Sequence, residues 1–257
     1  MLALTILGNN SALPAYGRNP TAQVLQTYDE NYLIDCGEGT QMQLAKYKIK
    51  RSKITKIFIS HLHGDHYFGL IGLITSMGLI RRTADLHIYG PALLEEIIRL
   101  QLTAGEAVLP YKMFFHPLIG EGEISNDKKI SVSNFKVNHR IDCNGFIFRE
   151  NKKPRSIVPE KVLAYEIPET YYGELQKGND YVTKKGTVIS NESVTVPAPA
   201  PRSYAYCADT VYDESLADKI KGVDVIYHET TYLKNLEEHA LARFHCTTVQ
   251  AGNIAKL

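Results

Sequence analysis

The sequence predicts an α/β protein built in layers of sheet and helix, and three observations predict it. Short β-rich runs alternate with helical runs along most of the chain, which is typical of a layered α/β architecture. The 257 residues are 44% apolar, enough to bury a sizeable core in one large domain or two small ones. No short-period repeat and no low-complexity tract interrupts this pattern.

The first half of the chain supplies five predicted strands and three predicted helices. Gly8 stops the first apolar run, and a turn at residues 29–30 joins the next two runs as a hairpin. Pro91 lies where a first-turn proline belongs, ahead of a helical run. The predicted strands are Leu2 to Leu7, Ala22 to Tyr28, Asn31 to Asp35, Lys56 to Ser60 and Leu86 to Tyr89. The predicted helices are Thr40 to Lys48, the apolar run Tyr67 to Ile80, and ALLEEIIRLQL after the proline.

The second half is rich in strands and contains one long irregular segment. Six of the 11 prolines fall between Asn151 and Arg202, and long loops are uncommon unless they are functional. We therefore predict that this segment projects from the core. Predicted strands lie on either side of it at Tyr111 to His116, Lys129 to Val132, Asn134 to His139, Gly145 to Arg149, Ser203 to Cys207 and Val223 to Tyr227. Predicted helices follow near Asp213 to Lys221 and from Thr247.

The net charge of the chain is small, which limits how it could bind nucleic acid. The formal value of +1 creates no overall basic field, so a contact with nucleic acid must come from local patches. Residues 46–56 carry six basic and no acidic residues, and residues 128–161 carry nine basic against three acidic ones. Such patches bind phosphates, although a solvated charged face is the other interpretation of each.

The N-terminus and the cysteines predict a cytoplasmic protein. The opening has no basic segment, and its apolar run is too short for a signal peptide or a membrane span. The four cysteines, Cys36, Cys143, Cys207 and Cys246, are widely spaced and form no CxxC pair. Without an export signal, we expect reduced thiols in the cytoplasm and no membrane partner.

The strongest chemical signal is the hexapeptide HLHGDH at residues 61–66. It places four potential metal ligands directly after the predicted strand KIFIS and before a helix. Imidazole and carboxylate ligands together suit zinc. His61 and His63 can project to one side of the turn while Asp65 and His66 come round to another. That geometry can serve two adjacent metals, and the glycine gives the turn its backbone freedom.

A site for two metals needs further ligands at the ends of other strands. His139 ends a predicted strand within NFKVNHR, and Asp209 follows the predicted strand SYAYC within CADT. Taken alone, His139 would be an ordinary polar residue at a strand end, and Asp209 would be the N-cap of the coming helix. The hexapeptide favours the metal-ligand interpretation of both residues.

These motifs resemble the metallo-β-lactamase superfamily, and more of the chain resembles its ribonuclease Z branch. LIDCGEGTQMQL at residues 33–44 is similar to the first motif of that family, and the opening ILGNNSALPAYGRNPTA resembles its N-terminal loop. The stretches YCADT, HETTY and HCTTVQA resemble its later motifs, at residues 206–210, 228–232 and 245–251. The segment 151–202, which contains YGELQKG, resembles its protruding substrate arm. The resemblance covers nearly the whole chain.

The resemblance implies a four-layer αβ/βα fold, with two sheets packed face to face and helices outside. It implies one hydrolase domain over residues 1–257, with an inserted arm at about 151–202, and two zinc ions per subunit. The implied ligands are His61, His63 and His139 on one ion, Asp65 and His66 on the other, and Asp209 bridging the two. The family has a further histidine ligand in an HxSxR-type motif beyond HCTTVQA. Because the last helix has no C-cap signal before Leu257, we expect that a tail carrying this ligand is missing from the chain; the alternative is an incomplete second site.

The implied activity is that of a zinc-dependent endoribonuclease. Such an enzyme removes the 3′ trailer from precursor tRNA by phosphodiester hydrolysis and leaves a 3′-hydroxyl on the tRNA. Asp65 would accept the proton of the attacking water, and His245, oriented by Glu229, would protonate the leaving oxygen. Helix capping or packing is the other interpretation of His245, and a surface carboxylate is the other interpretation of Glu229. In the family the arm of one subunit serves the cleft of its partner, so the resemblance also implies a homodimer.

Two other functions are compatible with the same motifs. Another superfamily phosphodiesterase or hydrolase, acting on small substrates, would share the metal site but need neither the arm nor the basic patches. A degenerate RNA-binding subunit would keep the patches and lack catalysis and metal.

Overall fold

A six-stranded sheet occupies the first half of the protein. The computed structural model describes residues 2–13 and 15–257. The strands of the sheet are β1 (Ala3–Gly8), β2 (Ala22–Gln26), β3 (Asn31–Ile34), β4 (Ile54–Phe58), β5 (Leu86–Gly90) and β6 (Met113–Pro117), which lie side by side in chain order. The first three strands form an antiparallel meander, and β3 to β6 run parallel to one another. Parallel neighbours need long crossover connections, and helices supply them here.

Four helices connect these strands and cover the outer face of the sheet. They are α1 (Thr40–Lys46), α2 (Gly64–Tyr67), α3 (Leu70–Leu79) and α4 (Leu93–Ala104), and a 3₁₀ turn at Arg51–Lys53 leads into β4. The two longest helices bury one apolar stripe each, formed by Leu70, Leu73, Ile74 and Met77 and by Leu94, Ile98 and Leu102. These stripes belong to one core with the sheet residues Leu33, Ile57, Ile59 and Ile88. Apolar residues three or four positions apart lie on one face of a helix, and packing of that face against the sheet stabilises both runs as helices.

The next three strands begin a second sheet: β7 (Gly122–Asn126), β8 (Ile130–Val137) and β9 (Cys143–Glu150). The two strands predicted at 129–132 and 134–139 are one continuous strand, β8, because it pairs with β9 along its whole length. Strand β7 was not predicted. Its glycine, glutamate and asparagine give it little β-propensity, and pairing with β8 at the sheet edge stabilises it instead.

A small folded unit, here called the arm (residues 156–196), is inserted after β9. It contains β10 (Ser156–Ile157), α5 (Pro159–Ala164), a 3₁₀ turn (Glu169–Tyr171), α6 (Tyr172–Lys177), β11 (Tyr181–Val182), β12 (Val188–Ile189), α7 (Asn191–Val194) and β13 (Thr195–Val196). The sequence prediction of an irregular segment misses these short elements. They close on an apolar cluster of their own, made of Val162, Ile167, Leu175, Ile189 and Val194.

The chain returns to the second sheet with β14 (Ser203–Tyr206) and β15 (Val225–Tyr227), which are connected by α8 (Ser215–Lys219). The helices α9 (Glu237–Ala242) and α10 (Thr248–Lys256) follow β15. A 3₁₀ turn at Lys234–Leu236 precedes α9, which was not predicted. The order across the sheet is β15-β14-β9-β8-β7. On its outer face, Phe135, Ala205 and Cys207 share a core with Leu216, Ile220 and Ile254 of the helices.

The inner faces of the two sheets meet in an aromatic core. Phe58 of the first sheet stacks on Tyr89 at 4.8 Å and meets Phe148 of the second sheet edge-on at 5.2 Å. The resulting order of helix, sheet, sheet and helix confirms the predicted α/β four-layer fold. The four cysteines are buried free thiols. Among the described residues, no helix has the length and apolar character to cross a membrane.

One edge of this sandwich collects the strand ends that carry the predicted ligands. Strands β3 and β4 are parallel, as are β14 and β15, so each pair ends at the same edge. The link between the sheets at this edge is direct, because Asn144 donates its backbone N–H to the carbonyl of Ser60 at 3.0 Å. Residues that follow β3, β4, β8, β14 and β15 are therefore brought together although they are far apart in sequence.

Candidate metal centre and catalytic cleft

The hexapeptide 61–66 forms the floor of the cleft at this edge. His61 and His66 are almost fully buried, with exposures of 0% and 1%, whereas His63 is partly exposed. His63 is the N-cap of α2, so the turn from β4 into this helix directs successive side chains to different sides. The glycine of the motif has a packing reason as well: a Cβ on Gly64 would lie 2.2 Å from the ring of Phe68.

Three imidazoles converge at one end of the cleft. Nε2 of His61 lies 2.9 Å from Nδ1 of His63, and Nε2 of His139 lies 3.1 Å from the same Nδ1 atom. A tetrahedral ion with Zn–N bonds of about 2.0–2.1 Å spaces its ligand atoms by roughly 3.4 Å. The two N–N distances are slightly shorter than that spacing. A cation between the three nitrogens would relieve the repulsion between their lone pairs. The chemistry and the spacing of this donor set fit a divalent transition metal.

A second donor group, which contains Asp209, lies beside the first. Oδ2 of Asp209 is 3.4 Å from Nε2 of His66 and 3.9 Å from Nε2 of His61. Oδ2 of Asp65 is 3.8 Å from the same His66 nitrogen. His61, His66 and Asp209 form one group of potential ligands, and His61, His63 and His139 form another. All six sequence-predicted ligands therefore meet in one place, and the two donor groups, which share His61, fit two neighbouring cations.

Asp35 is a residue of this site to which the sequence analysis gave no role. Its buried carboxylate accepts hydrogen bonds from the backbone N–H of Ser60 at 2.8 Å, the Ser60 hydroxyl at 2.9 Å and the Tyr206 hydroxyl at 2.6 Å. Its Oδ2 atom also lies 2.7 Å from Nδ1 of His66. A carboxylate behind a metal-binding histidine fixes the ring and its tautomer. The available sequence signal was a single aspartate at the end of the apolar run NYLI.

The other predicted ligand histidines are also held from behind by hydrogen bonds. Nδ1 of His61 lies 3.0 Å from the hydroxyl of Ser60 and 3.4 Å from the thiol of Cys143. His139 donates from Nδ1 to the backbone carbonyl of Phe244 at 2.9 Å. In both rings the outer nitrogen is engaged, so Nε2 is left facing the cleft.

Burial keeps the three imidazoles at one end of the cleft in the neutral form. Burial lowers the pKa of His61, and the neighbouring imidazole of His66 lowers it further; burial also lowers the pKa values of His63 and His139. Neutral imidazoles are the form that binds metal. Burial alone would lower the pKa of His66, but the carboxylates of Asp209 and Asp35 raise it well above its usual value. Without a cation, a proton on His66 thus compensates for two buried carboxylates.

Asp209 has the complementary shift. Burial by itself would raise the pKa of its carboxyl group, but the imidazoles of His66, His61 and His245 hold it far below its usual range. Its side chain keeps 17% of its surface exposed. Asp209 is therefore an ionised carboxylate that still faces the opening of the cleft.

His245 and Glu229 form a pair at the rim of the donor groups. Nδ1 of His245 lies 2.9 Å from Oε1 of Glu229 and 4.0 Å from Oδ2 of Asp209. The carboxylate of Glu229 is buried, and it also accepts the backbone N–H groups of Cys246 at 2.7 Å and Thr231 at 2.8 Å. Burial opposes protonation of His245, but the bond to Glu229 and the charge of Asp209 raise its pKa. Glu229 is therefore no surface carboxylate, and Thr247, rather than His245, caps α10.

Comparison with known proteins places this geometry in a family. The chain is 42% identical to ribonuclease Z of Bacteroides thetaiotaomicron over 254 residues, which cover 98% of the chain and 80% of that protein. The chain belongs to the ribonuclease Z family. The crystal structure of the short form of human tRNase Z covers 98% of the chain with a TM-score of 0.72 and 26% identity, and the chain covers 87% of that structure. The metallo-β-lactamase fold protein YhfI from Bacillus subtilis superposes with a TM-score of 0.64 at 17% identity, over 98% of the chain and 80% of its own length, which shows the shared fold.

A second family description covers only part of the chain. Residues 2–152 match the family model of the anti-Pycsar protein Apyc1, so the chain belongs to that family as well. This match includes the hexapeptide and His139 but ends before the arm, Asp209, Glu229 and His245. The likeness to ribonuclease Z relatives extends over those parts too.

Proposed function

We propose that the protein is a cytoplasmic, zinc-dependent endoribonuclease that removes the 3′ trailer from precursor tRNA and leaves a 3′-hydroxyl. The observation that carries the proposal is the meeting of two donor groups, which share His61 and of which one contains Asp209, beside the His245–Glu229 pair. It is supported by the likeness to ribonuclease Z over 98% of the chain.

We infer two zinc ions per subunit. His61, His63 and His139 would hold one, Asp65 and His66 the other, and Asp209 would contact both. When bound, such a pair of cations supplies a nucleophile at neutral pH and neutralises charge on the phosphate. The number of zinc ions bound per chain tests this stoichiometry.

The remaining chemistry belongs to proton transfers by the chain itself. Asp65, whose carboxylate is 15% exposed beside His66, would accept a proton from the attacking water. His245 would then donate a proton to the leaving oxygen. Glu229 keeps the imidazole oriented and protonated, because its buried carboxylate accepts from Nδ1 and leaves the other ring nitrogen free. A general acid of this kind contributes about 10²–10⁴-fold to the rate.

The position of the arm supports a homodimer. Cys143 at the start of β9 contacts His61, and the arm begins after Glu150 at the far end of that strand. Seven strand steps of about 3.4 Å put roughly 24 Å between the cleft and the base of the arm. The arm therefore leaves from the edge opposite the cleft of its own subunit, and we propose that it binds precursor tRNA for the cleft of a partner.

The basic patches contribute fewer free charges than their sequences suggest. In the first patch, Nζ of Lys56 lies 2.6 Å from Asp127 and is largely buried between the sheets. In the second, Lys129 pairs with Asp29, and Lys136 pairs with Asp142 at 2.5 Å. The exposed lysines that remain in the first patch are Lys46 at the end of α1 and Lys48 and Lys50 between α1 and β4, whereas Lys53 is half-buried and donates to the carbonyl of Tyr28 at 2.8 Å. The end of α1 and the start of β4 lie at the edge opposite the cleft. There, these lysines would contact RNA that is bound by the arm.

The structure suggests a clean deletion that tests the proposal. The backbone N–H of Glu150 donates to the carbonyl of Arg202 at 2.8 Å, so the strands on either side of the arm are adjacent at its base. Replacement of residues 151–201 by Asn-Gly would close them as a two-residue hairpin. We expect this variant to bind zinc and to hydrolyse bis(p-nitrophenyl) phosphate, but not to cut a 3′-extended precursor tRNA.

Two results would contradict the proposal. If the deletion variant still cut the precursor at the tRNA end, the arm would not be the RNA-binding element. If the intact protein, with zinc, hydrolysed the small diester but left the precursor uncut, the alternative of a small-substrate phosphodiesterase would be correct. A chelator should stop both reactions of the intact protein.

A further inference from the structure

Arg140 is an exposed guanidinium at the mouth of the histidine cluster. It lies in the turn between β8 and β9, one residue after His139. Its Nη2 atom is 3.0 Å from Nε2 of His63. The described ion pairs of lysine and arginine with carboxylates do not include it. Within the part of the chain that the structure describes, this cation therefore has a histidine nitrogen as its contact and no acidic partner.

This contact and a cation in the cleft exclude each other. Nδ1 of His63 is the nitrogen that faces His61 and His139, so it is the atom that would hold an ion. A neutral imidazole that gives its Nδ1 lone pair to a metal carries its proton on Nε2. A guanidinium has only donors, so it cannot hydrogen-bond to that N–H group. Loading of the site therefore releases Arg140 at the rim of the cleft.

We propose that the released Arg140 binds the phosphate of the nucleotide next to the scissile bond in the bound RNA; this rests on the proposed endonuclease function. Guanidinium groups hold phosphates through two parallel hydrogen bonds, and no carboxylate competes for this one. Nη2 lies on the outer side of the His63 ring, beyond the inner nitrogens that surround the ion position. That offset directs Arg140 to the neighbouring phosphate rather than to the reacting one.

The test uses the zinc-loaded protein and a 3′-extended precursor tRNA. Arg140→Gln removes the charge, Arg140→Lys keeps it, and Arg99→Gln is a matched control for charge loss on the exposed face of α4. We expect Arg140→Gln to lower kcat/KM by about 10- to 100-fold, the value of a charged hydrogen bond. The slope of log(kcat/KM) against log(salt) should become shallower by about 0.7–0.9, the loss of one phosphate contact. Arg140→Lys should restore the slope, and Arg99→Gln should match the wild type.

Two further readouts separate a phosphate contact from a structural role. A methylphosphonate next to the cleavage site should slow the wild type and have no further effect on Arg140→Gln. Zinc affinity, measured by competition with a chelator, should be equal or tighter in Arg140→Gln, because the competing contact to His63 is gone. The proposal is wrong if the methylphosphonate slows both proteins equally at each of the two neighbouring positions, if the salt slope is unchanged, or if zinc binding weakens. Weaker zinc binding with intact RNA cleavage would reject Arg140 and leave the endonuclease function standing, whereas no cleavage by the wild type would reject that function.

Discussion

Replacing Asp35 by Asn changes one atom of a carboxylate that holds a predicted zinc ligand from behind. Oδ1 accepts the backbone N–H of Ser60, which cannot rotate, so the amide oxygen of the variant must take that position. The amide NH₂ then occupies the place of Oδ2, which faces the hydroxyls of Ser60 and Tyr206 and Nδ1 of His66. Either hydroxyl can turn to accept, but His66 can accept only if Nδ1 loses its proton. Nε2 would then carry the proton and could not hold a metal.

Asp35→Asn should have two separate effects, one on metal affinity and one on folding stability. Loss of a hydrogen-bonded carboxylate behind a metal ligand costs about 10- to 100-fold in metal affinity. We expect that loss at the ion bound by His66, while the ion held by His61, His63 and His139 keeps its affinity. In the metal-free protein, the change also removes one partner of a buried ion pair with His66, which costs about 3–5 kcal/mol of folding stability.

Chelator competition measures the two zinc affinities, and urea unfolding of the metal-free protein measures the stability. Asp127→Asn is a matched control, because Asp127 also accepts a tyrosine hydroxyl and a cation between the sheets but lies away from the cleft. It should keep both zinc affinities. If Asp35→Asn binds two zinc ions as tightly as the control, the tautomer argument fails and Asp35 has only a packing role.

The remaining predictions concern proton donation and acid stability. His245→Ala should keep zinc binding and slow precursor cleavage by about 10²–10⁴-fold; an unchanged rate would end its role as acid. Glu229→Gln should shift the alkaline limb of the pH–rate profile to lower pH, because a proton donor is lost as pH rises through its pKa and Glu229 raises that of His245. Lys56 and the hydrogen bonds around it lower the pKa of Asp127 to about 2 although burial opposes this, so its stabilisation is present above pH 4 and is lost as pH falls towards 2. Asp127→Asn should therefore cost about 2 kcal/mol in urea unfolding at pH 7 and progressively less below pH 4, and a constant difference would refute the shift.

The sequence could predict that the candidate ligands meet, because each one follows a strand. The hexapeptide follows β4, His139 follows β8 and Asp209 follows β14, and these strand ends share one edge of the sandwich. Asp35 obeys the same rule at the end of β3, but a single carboxylate carries no pattern. Its partner Tyr206 is 171 residues away and lies in the other sheet, and only the packing of the two sheets makes that contact.

The elements that the sequence did not predict depend on tertiary contacts in a similar way. Strand β7 exists because β8 offers it a free edge, and the arm is folded because its five core residues meet only when its short helices and strands close together. The proposed role of Arg140 also depends on a tertiary contact that the sequence does not reveal. Its position next to His139 was visible in the sequence, but its contact with His63, 77 residues away, depends on the turn between β8 and β9.

The turn at Phe244 connects the two halves of the proposed chemistry. Phe244 has a φ of 60°, a conformation that costs a non-glycine residue about 1–2 kcal/mol. That conformation aims its carbonyl at Nδ1 of His139 at 2.9 Å, and the next residue along the chain is His245, the proposed acid. Because the ring centroids of His139 and His245 lie 5.3 Å apart, a shift of this turn would move a metal ligand and the acid together. The strained turn thus fixes the distance between the proposed metal ligand His139 and the proposed acid His245, and a relaxed backbone there would displace both residues.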